Sequence, residues 1–265
     1  MIMVVLGHAA ALGVGVSLGL IGGGGSILTV PILVYLFHID PVQATTYSLF
    51  VVGLTSLAGA YSHGKKGNIH YKTALIFGVP SLIAVFIMRK WVMPAIPGHI
   101  TTLGTWTITR SFLLMMTFAL LMVLASISMI RNRPPVERAN EDEDPGLSGQ
   151  LAVQGTLVGL VTGFVGVGGG FLIIPSLVLL AGLPMKKAVG TSLLIMTLSS
   201  LLGVMGDVTG KVSIDYTLLS IFSALAIAGI LIGSHLSGII QDTHLKPIFG
   251  WFVLIMGISI FIHSI

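Results

Sequence analysis

The chain has 265 residues, of which 54% are hydrophobic and only 8% are charged. Because a soluble domain is nearer a quarter charged, this composition predicts a polytopic membrane protein. The absence of cysteine excludes disulfides, thiolate metal sites and cysteine nucleophiles. The net charge of +4 comes without a basic run or an RNA-binding motif, so it favours loop cations facing anionic lipid over nucleic acid as a partner.

Apolar segments follow one another along the chain, five in each half. They cover roughly 2–21, 26–38, 42–62, 71–91 and 105–130, and then 150–165, 170–182, 187–206, 215–240 and 246–264. The first segment lacks a positively charged start, so we interpret it as a mature helix and not as a signal peptide. About 20 residues are needed to span the hydrocarbon, and the second segment of each half is too short. We expect each to form a re-entrant hairpin or broken helix pair with the segment before it.

A charged segment separates the two halves. Residues 131–149 hold five of the nine acidic residues and read as a solvated cytoplasmic linker. The predicted organisation is therefore a first transmembrane repeat over 1–130, the linker over 131–149, and a second transmembrane repeat over 150–265.

The halves share a glycine-broken motif at a constant offset of 144 residues. Residues 19–36 read GLIGGGGSILTVPILVYL, and residues 163–180 read GFVGVGGGFLIIPSLVLL, which aligns Gly22 with Gly166. The register continues without a gap through the following segment. Two helix-breaking runs at matching positions are typical of a transporter's binding site.

The positive residues predict the orientation. If the glycine hairpins do not cross the membrane, each half has three crossings, and the second half is inverted. Placing the loop at 63–72 in the cytoplasm puts nine of the 13 cations inside and both termini outside. The four cations left outside are Arg89, Lys90, Arg110 and Lys211.

The glycine clusters offer backbone chemistry for an anion. The first N–H groups of a half-helix lack intrahelical partners, and with the positive end of the helix dipole they favour negative charge. If the two hairpin tips meet in mid-membrane, they surround one small anion with donors; the alternative is that the glycines only permit close helix crossing. The predicted substrate-binding residues of the tips are Gly22, Gly24, Gly25, Ser26, Gly166, Gly168, Gly169 and Gly170.

Hydroxyl side chains at the start of the third segment of each half add further donors. Thr45 and Ser48 in the first half, and Thr191 and Ser192 in the second, are predicted to line the site. The alternative is that they bond back to their own helix. The repeated pair, Ser48 and Ser192, is the stronger prediction.

Ionisable residues within the membrane are costly and mark functional sites. His63 and Asp207 share one register position in the two halves and are candidates for proton or cation coupling, although their place at helix ends favours solvated end residues. The chain has no HExxH or Walker motif. We therefore predict no catalytic residue, no metal site, no cofactor and no enzymatic activity.

The motifs resemble those of a known family. GLIGGGGSILTVPIL and GFVGVGGGFLIIPSL are similar to the paired signatures of the sulfite exporter TauE/SafE family, and KKGNIHY, GKVSIDY and LKPIFGWFVLIMGI are similar to its later elements. The resemblance implies a multi-pass protein of the bacterial inner membrane that transports a small sulfur-containing anion without ATP. Ser26 aligns with Gly170 and Gly23 with Val167, and these differences leave the substrate open.

The predicted fold is all-α and polytopic, with two inverted repeats that each contain a glycine-broken helix pair. The predicted function is secondary transport, in the export direction, of sulfite or an organosulfonate by alternating access between the repeats. The alternatives are an uncoupled anion channel or facilitator and a non-transporting accessory subunit. The coupling ion, proton or sodium, and homo-oligomer formation stay open.

Overall fold

The structure, a computed structural model, describes residues 2–103, 106–130, 145–208, 215–236 and 242–264. Helices account for nearly all of these residues, with one short hairpin of two antiparallel strands. The elements of the first half are α1 (Ile2–Ile21), α2 (Ser26–Tyr35), α3 (Pro41–Lys65), α4 (Tyr71–Ile87), α5 (Met93–Ala95), β1 (His99–Leu103), β2 (Trp106–Thr109) and α6 (Arg110–Ile130). Those of the second are α7 (Pro145–Val165), α8 (Gly170–Leu179), α9 (Met185–Val208), α10 (Tyr216–Leu236) and α11 (Asp242–Ser264).

The helix starts follow local sequence signals. Asp40 caps α3 by accepting a hydrogen bond from the N–H of Val42, and Pro41 occupies the first helical position. His70 caps α4, where its Nδ1 accepts from the N–H of Thr73. Between α4 and α5 the chain forms one π-helical turn, Met88–Val92, which extends the helix beyond the predicted end of the segment at residue 91.

The two short segments are confirmed as short helices. Helices α2 and α8 have ten residues each, begin directly after the glycine clusters, and occupy matching positions in the two halves. The strand pair was not predicted, and the apolar segment expected from 105 becomes helical only at Arg110. The predicted linker lies outside the described residues up to 144, and α7 begins at Pro145.

Equivalent helices of the two halves exchange partners. Helix α1 packs along α10, and α7 packs along α4, each pair running parallel. The contacts are backbone to backbone: a Cβ at Gly15 would lie 2.0 Å from the carbonyl oxygen of Ala226, and one at Gly159 would lie 2.4 Å from that of Ser81. Glycines spaced four apart permit such crossings in membrane helices. These glycines, which precede the two clusters, therefore permit close helix crossing.

Helices α3 and α9 form the centre of the bundle and run antiparallel. The end of α3 lies against the start of α9, where a Cβ at Gly190 would lie 3.1 Å from the Cβ of His63. At the other end, Thr46 of α3 bonds to Asp207 of α9. The outer helices α6 and α11 pair with each other.

Five of the described helical segments are long and apolar enough to cross a membrane: Tyr71–Ala95, Arg110–Ile127, Ser148–Val165, Met185–Asp207 and Tyr216–Leu236. Large apolar side chains such as Leu75, Leu157 and Ile255 are exposed on the outside of the bundle, where a soluble protein would place polar groups. The chain is an all-helical, multi-pass membrane protein.

Candidate functional site

The first glycine of each cluster ends the preceding helix. Gly22 and Gly166 have φ values of +78° and +75°, the left-handed conformation that glycine adopts at low cost. Their N–H groups donate to the carbonyl oxygens of Leu18 and Thr162, each at 2.8 Å. This is a left-handed helix cap. The N–H groups of Gly22 and Gly166, two of those predicted to hold an anion, are thus already bonded within their own helix ends.

The two glycine tips touch each other. A Cβ at Gly23 would lie 1.8 Å from the carbonyl carbon of Gly170, and a Cβ at Gly170 would lie 2.2 Å from the Cα of Gly23. The side chain of Met196, on the central helix α9, lies beside the same point. The breaks of both halves therefore meet at one place next to the α3–α9 pair.

The second tip presents the start of α8 to the central helices. Gly168 and Gly169 have φ values of +69° and +78°. The carbonyl oxygen of Gly169 accepts from the N–H groups of Leu172 and Ile173, which closes the first turn of α8. A Cβ at Gly168 would lie 2.9 Å from the Oγ of Ser200, a buried hydroxyl without a hydrogen-bond partner in the described structure. The sequence prediction did not include Ser200.

The first tip is held by its own half. Gly23–Gly25 form one 3-10 turn, which contains the predicted Gly24. A Cβ at Gly25 would lie 2.5 Å from the backbone nitrogen of Leu18, so this glycine lets the tip pack on α1. The fully buried Oγ of Ser26 donates to the carbonyl oxygen of Gly23 at 2.7 Å. The hydroxyl of Ser26 therefore stabilises the tip, whereas the prediction concerned its backbone N–H.

The hydroxyls of α3 face the tip of the other half. A Cβ at Gly166 would lie 2.4 Å from the Cβ of Thr45. Ser48 is three residues further along and so shares that face of α3. It is fully buried, and its Oγ has no partner among the described residues. Ser48 is therefore the predicted lining residue with a hydroxyl left free for a ligand.

The matching residues of α9 are already engaged. Ser192 donates to the carbonyl oxygen of Val189 at 2.8 Å, as expected for back-bonding in a membrane helix. The Oγ1 of Thr191 accepts from the N–H of His70 at 2.9 Å. The equivalent bond in the other half joins the N–H of Asp215 to the hydroxyl of Tyr47. Because both halves have this bond, we assign Thr191 to the tie between the α3–α4 loop and α9.

A buried ion pair adjoins the second tip. The Nη1 of Arg89 lies 3.1 Å from the Oδ2 of Asp207 and 3.0 Å from the Oγ1 of Thr45. The Oγ1 of Thr46 donates to the same Oδ2 at 2.7 Å. The relative exposure of the two charged side chains is 1% and 9%. Asp207 is thus a largely buried counter-ion, and the expectation that it is a solvated helix-end residue is wrong.

His63 occupies the equivalent position at the opposite end of the α3–α9 pair. Its exposure is 5%, and neither ring nitrogen has a partner within the described structure. The expectation of a solvated end residue is therefore wrong for His63 as well. The two coupling candidates lie at opposite ends of antiparallel helices and do not contact each other.

Arg89 was not among the predicted site residues and was counted only among the external cations. The structure continues α4 through Arg89 into the π-helical turn, so the guanidinium lies inside the bundle. The signal was available, because the apolar residues Trp91, Val92 and Met93 follow it in the sequence. A cation followed by further membrane-like sequence is a functional candidate.

Known proteins resemble the chain over most of its length. The family model described as sulfite exporter TauE/SafE matches residues 8–260. A "Probable membrane transporter protein" of Xylella fastidiosa is 32% identical over 183 residues, which cover 68% of this chain and 65% of that protein. "Probable membrane transporter protein YdhB" of Bacillus subtilis is 27% identical over 88% of this chain and 89% of its own length.

An archaeal relative, "Probable membrane transporter protein MJ0441" of Methanocaldococcus jannaschii, is 27% identical over 92% of this chain and 90% of its own. No solved structure matches the chain. The glycine-broken helix pairs and the family match over nearly the whole length agree, and the chain belongs to the sulfite exporter TauE/SafE family.

Proposed function

We propose that this protein is a secondary transporter that moves a small sulfur-containing anion, such as sulfite or an organosulfonate, across the bacterial inner membrane. Its family and the names of its relatives support membrane transport. The observation that carries the proposal is the contact between Gly23 and Gly170, which brings both helix breaks to one point in the bundle.

The packing of equivalent helices supports inverted repeats. Helices α3 and α9 hold the same place in the two halves, yet they run antiparallel, with His63 against Gly190 and Asp207 bonded to Thr46. An axis that relates two antiparallel helices is perpendicular to both. If these helices cross the bilayer, the axis lies in the membrane plane, which is the arrangement of alternating-access transporters with inverted repeats.

The chemistry of the tips supports an anion as the substrate. The N–H groups at the start of α8 lack intrahelical partners and lie at the positive end of the helix dipole. Glycine at 168, 169 and 170 adds no side chain of its own to this surface, and the side chains of Val52, Thr162 and Met196 pack against these positions. Because the N–H groups of Gly22 and Gly166 are bonded within their own helix ends and that of Gly25 closes the 3-10 turn, the donors we assign to the anion are those of Gly24, Gly168, Gly169 and Gly170. The hydroxyls of Ser48 and Ser200, which have no partner in the described structure, lie beside them.

The place where the tips meet supports alternating access as the mechanism. The contact at Gly23 and Gly170 lies between the halves, so rocking of one half against the other opens it toward one side of the membrane at a time. His63 and Asp207 lie at the two ends of the central helix pair, on opposite sides of this contact. We propose them as the groups that respond to a coupling proton or cation.

Uptake of labelled sulfite into proteoliposomes tests the proposal. Sulfoacetate, thiosulfate and sulfate serve as competitors, and the assay is run with and without a pH gradient. Saturable uptake that a competitor inhibits is the expected result, and a response to the gradient identifies proton coupling. Flux that does not saturate indicates an uncoupled channel. No flux from folded protein contradicts anion transport and favours an accessory subunit.

A further inference from the structure

The guanidinium of Arg89 is only partly used by its ion pair. Its Nη1 makes the two bonds to Thr45 and Asp207, whereas Nε and Nη2 are buried without a partner in the described structure. Asp207 also receives both of its bonds, from Arg89 and Thr46, on a single oxygen. The pair is therefore end-on, and the two-nitrogen edge that binds carboxylates and oxyanions most strongly is left unpaired.

The unpaired edge is directed at the glycine tip of the second half. A Cβ at Gly166 would lie 2.2 Å from the Nη2 of Arg89, so only glycine permits this approach. On its other side the Arg89 stem packs against α9, where a Cβ at Gly206 would lie 3.0 Å from the Cβ of Arg89. The π-helical turn Met88–Val92 holds the arginine in this position, and such turns frequently occur at functional sites.

The place that the repeat relates to this cluster has similar packing without an ion pair. The positions equivalent to Thr45, Thr46 and Asp207 are Val189, Gly190 and His63 in the register of the repeat. Val189 lies against Gly22 just as Thr45 lies against Gly166. The fold therefore does not require a charged cluster at this place, and a buried ion pair is in general weak evidence for stability. A functional role explains better why the ion pair occurs at one of the two equivalent places and not at the other.

We propose that Arg89 binds the transported anion through Nε and Nη2, and that Asp207 is the internal counter-ion that holds the guanidinium when no anion is bound. This inference rests on the proposed function and names the residue that recognises the substrate's charge. The ligand class is a small oxyanion that presents two oxygens to one guanidinium edge, as sulfite, sulfonates and sulfate do. A monoatomic anion such as chloride has no oxygens and cannot make two parallel bonds to the guanidinium edge.

Kinetics of three variants in proteoliposomes test the assignment. R89K keeps the charge but loses the planar edge, so we expect the KM for sulfite to rise at least about tenfold, the scale of one charge-assisted hydrogen bond. R89Q/D207N removes both charges and avoids leaving Asp207 buried alone, and it should raise the KM likewise. D207N removes the competing carboxylate and should lower the Kd for sulfite binding to purified protein. The inhibition of sulfite transport by chloride should be the same in wild type and in R89K.

The matched control is K90Q. Lys90 is the neighbouring cation, but it is exposed and lies over the rings of Phe86 and Trp91. K90Q should keep the wild-type KM. A wild-type KM in R89K and in R89Q/D207N, with saturable flux in wild type, overturns the assignment and leaves the proposed transport intact. Absence of flux in folded wild type overturns both. If R89K does not fold, the double variant and the Kd of D207N decide.

Discussion

The contact between the two glycine tips makes Gly23→Ala a sharp perturbation. The added Cβ would lie 1.8 Å from the carbonyl carbon of Gly170, whereas ordinary contact begins at 3.4 Å. The tips must therefore separate by about 1.6 Å. The neighbouring atom is backbone and cannot rotate away. Overpacking of this kind costs about 1–3 kcal/mol, and a separation on this scale misplaces donors that must converge on one anion.

The expected result is a loss of at least about tenfold in the initial rate of sulfite uptake, with the protein still folded in the membrane. The matched control is Gly13→Ala in the helix that precedes the tip, because a Cβ there meets nothing within 4 Å. Gly13→Ala should transport like wild type. Wild-type uptake by Gly23→Ala would show that the tip contact has no part in transport.

Three further predictions concern the second tip, a helix crossing and the ion pair. Gly168→Ala forces a side chain into φ +69° and against the central helices, so uptake should fall at least about tenfold in initial-rate assays; an unchanged rate removes this position from the site. A Cβ at Gly159 would lie 2.4 Å from a carbonyl oxygen of α4, so Gly159→Leu should lower the melting temperature in detergent. The control is Gly149→Leu, because a Cβ at Gly149 meets nothing within 4 Å, and it should leave the melting temperature unchanged. Equal melting temperatures of the two variants would refute the close crossing. Thr46→Val deletes the hydrogen bond to Asp207 and should destabilise the protein by about 1–3 kcal/mol in reversible unfolding, and a neutral effect would contradict that bond.

The repeat and the helix breaks were predictable because they depend on local chemistry. A run of glycines destabilises a helix through its backbone freedom alone. The matching runs at Gly22 and Gly166 therefore predicted two short helices, and these have equal length in the structure. Composition predicted the membrane environment. The exchange of partners, α1 with α10 and α7 with α4, was not predictable, since pairs of helices distant in sequence are chosen by packing that no local pattern records.

The hydrogen-bond partners and burial of individual polar residues were also not predictable from the sequence. Ser48 and Ser192 are equivalent by register, yet one hydroxyl has no partner in the described structure and the other bonds back to its helix. Arg89 was counted only as an external cation because it falls near the end of the predicted segment 71–91. Its burial depends on the π-helical turn and on the distant Asp207, which only the folded chain brings together.

The central claim is that the tips of both halves form one anion site, and the stoichiometry of sulfite binding tests it most directly. Calorimetric titration of the purified protein with sulfite should show one saturable site per chain, lost in Gly23→Ala and retained in Gly13→Ala. Two independent sites per chain, or no saturable binding by folded protein, would contradict the claim.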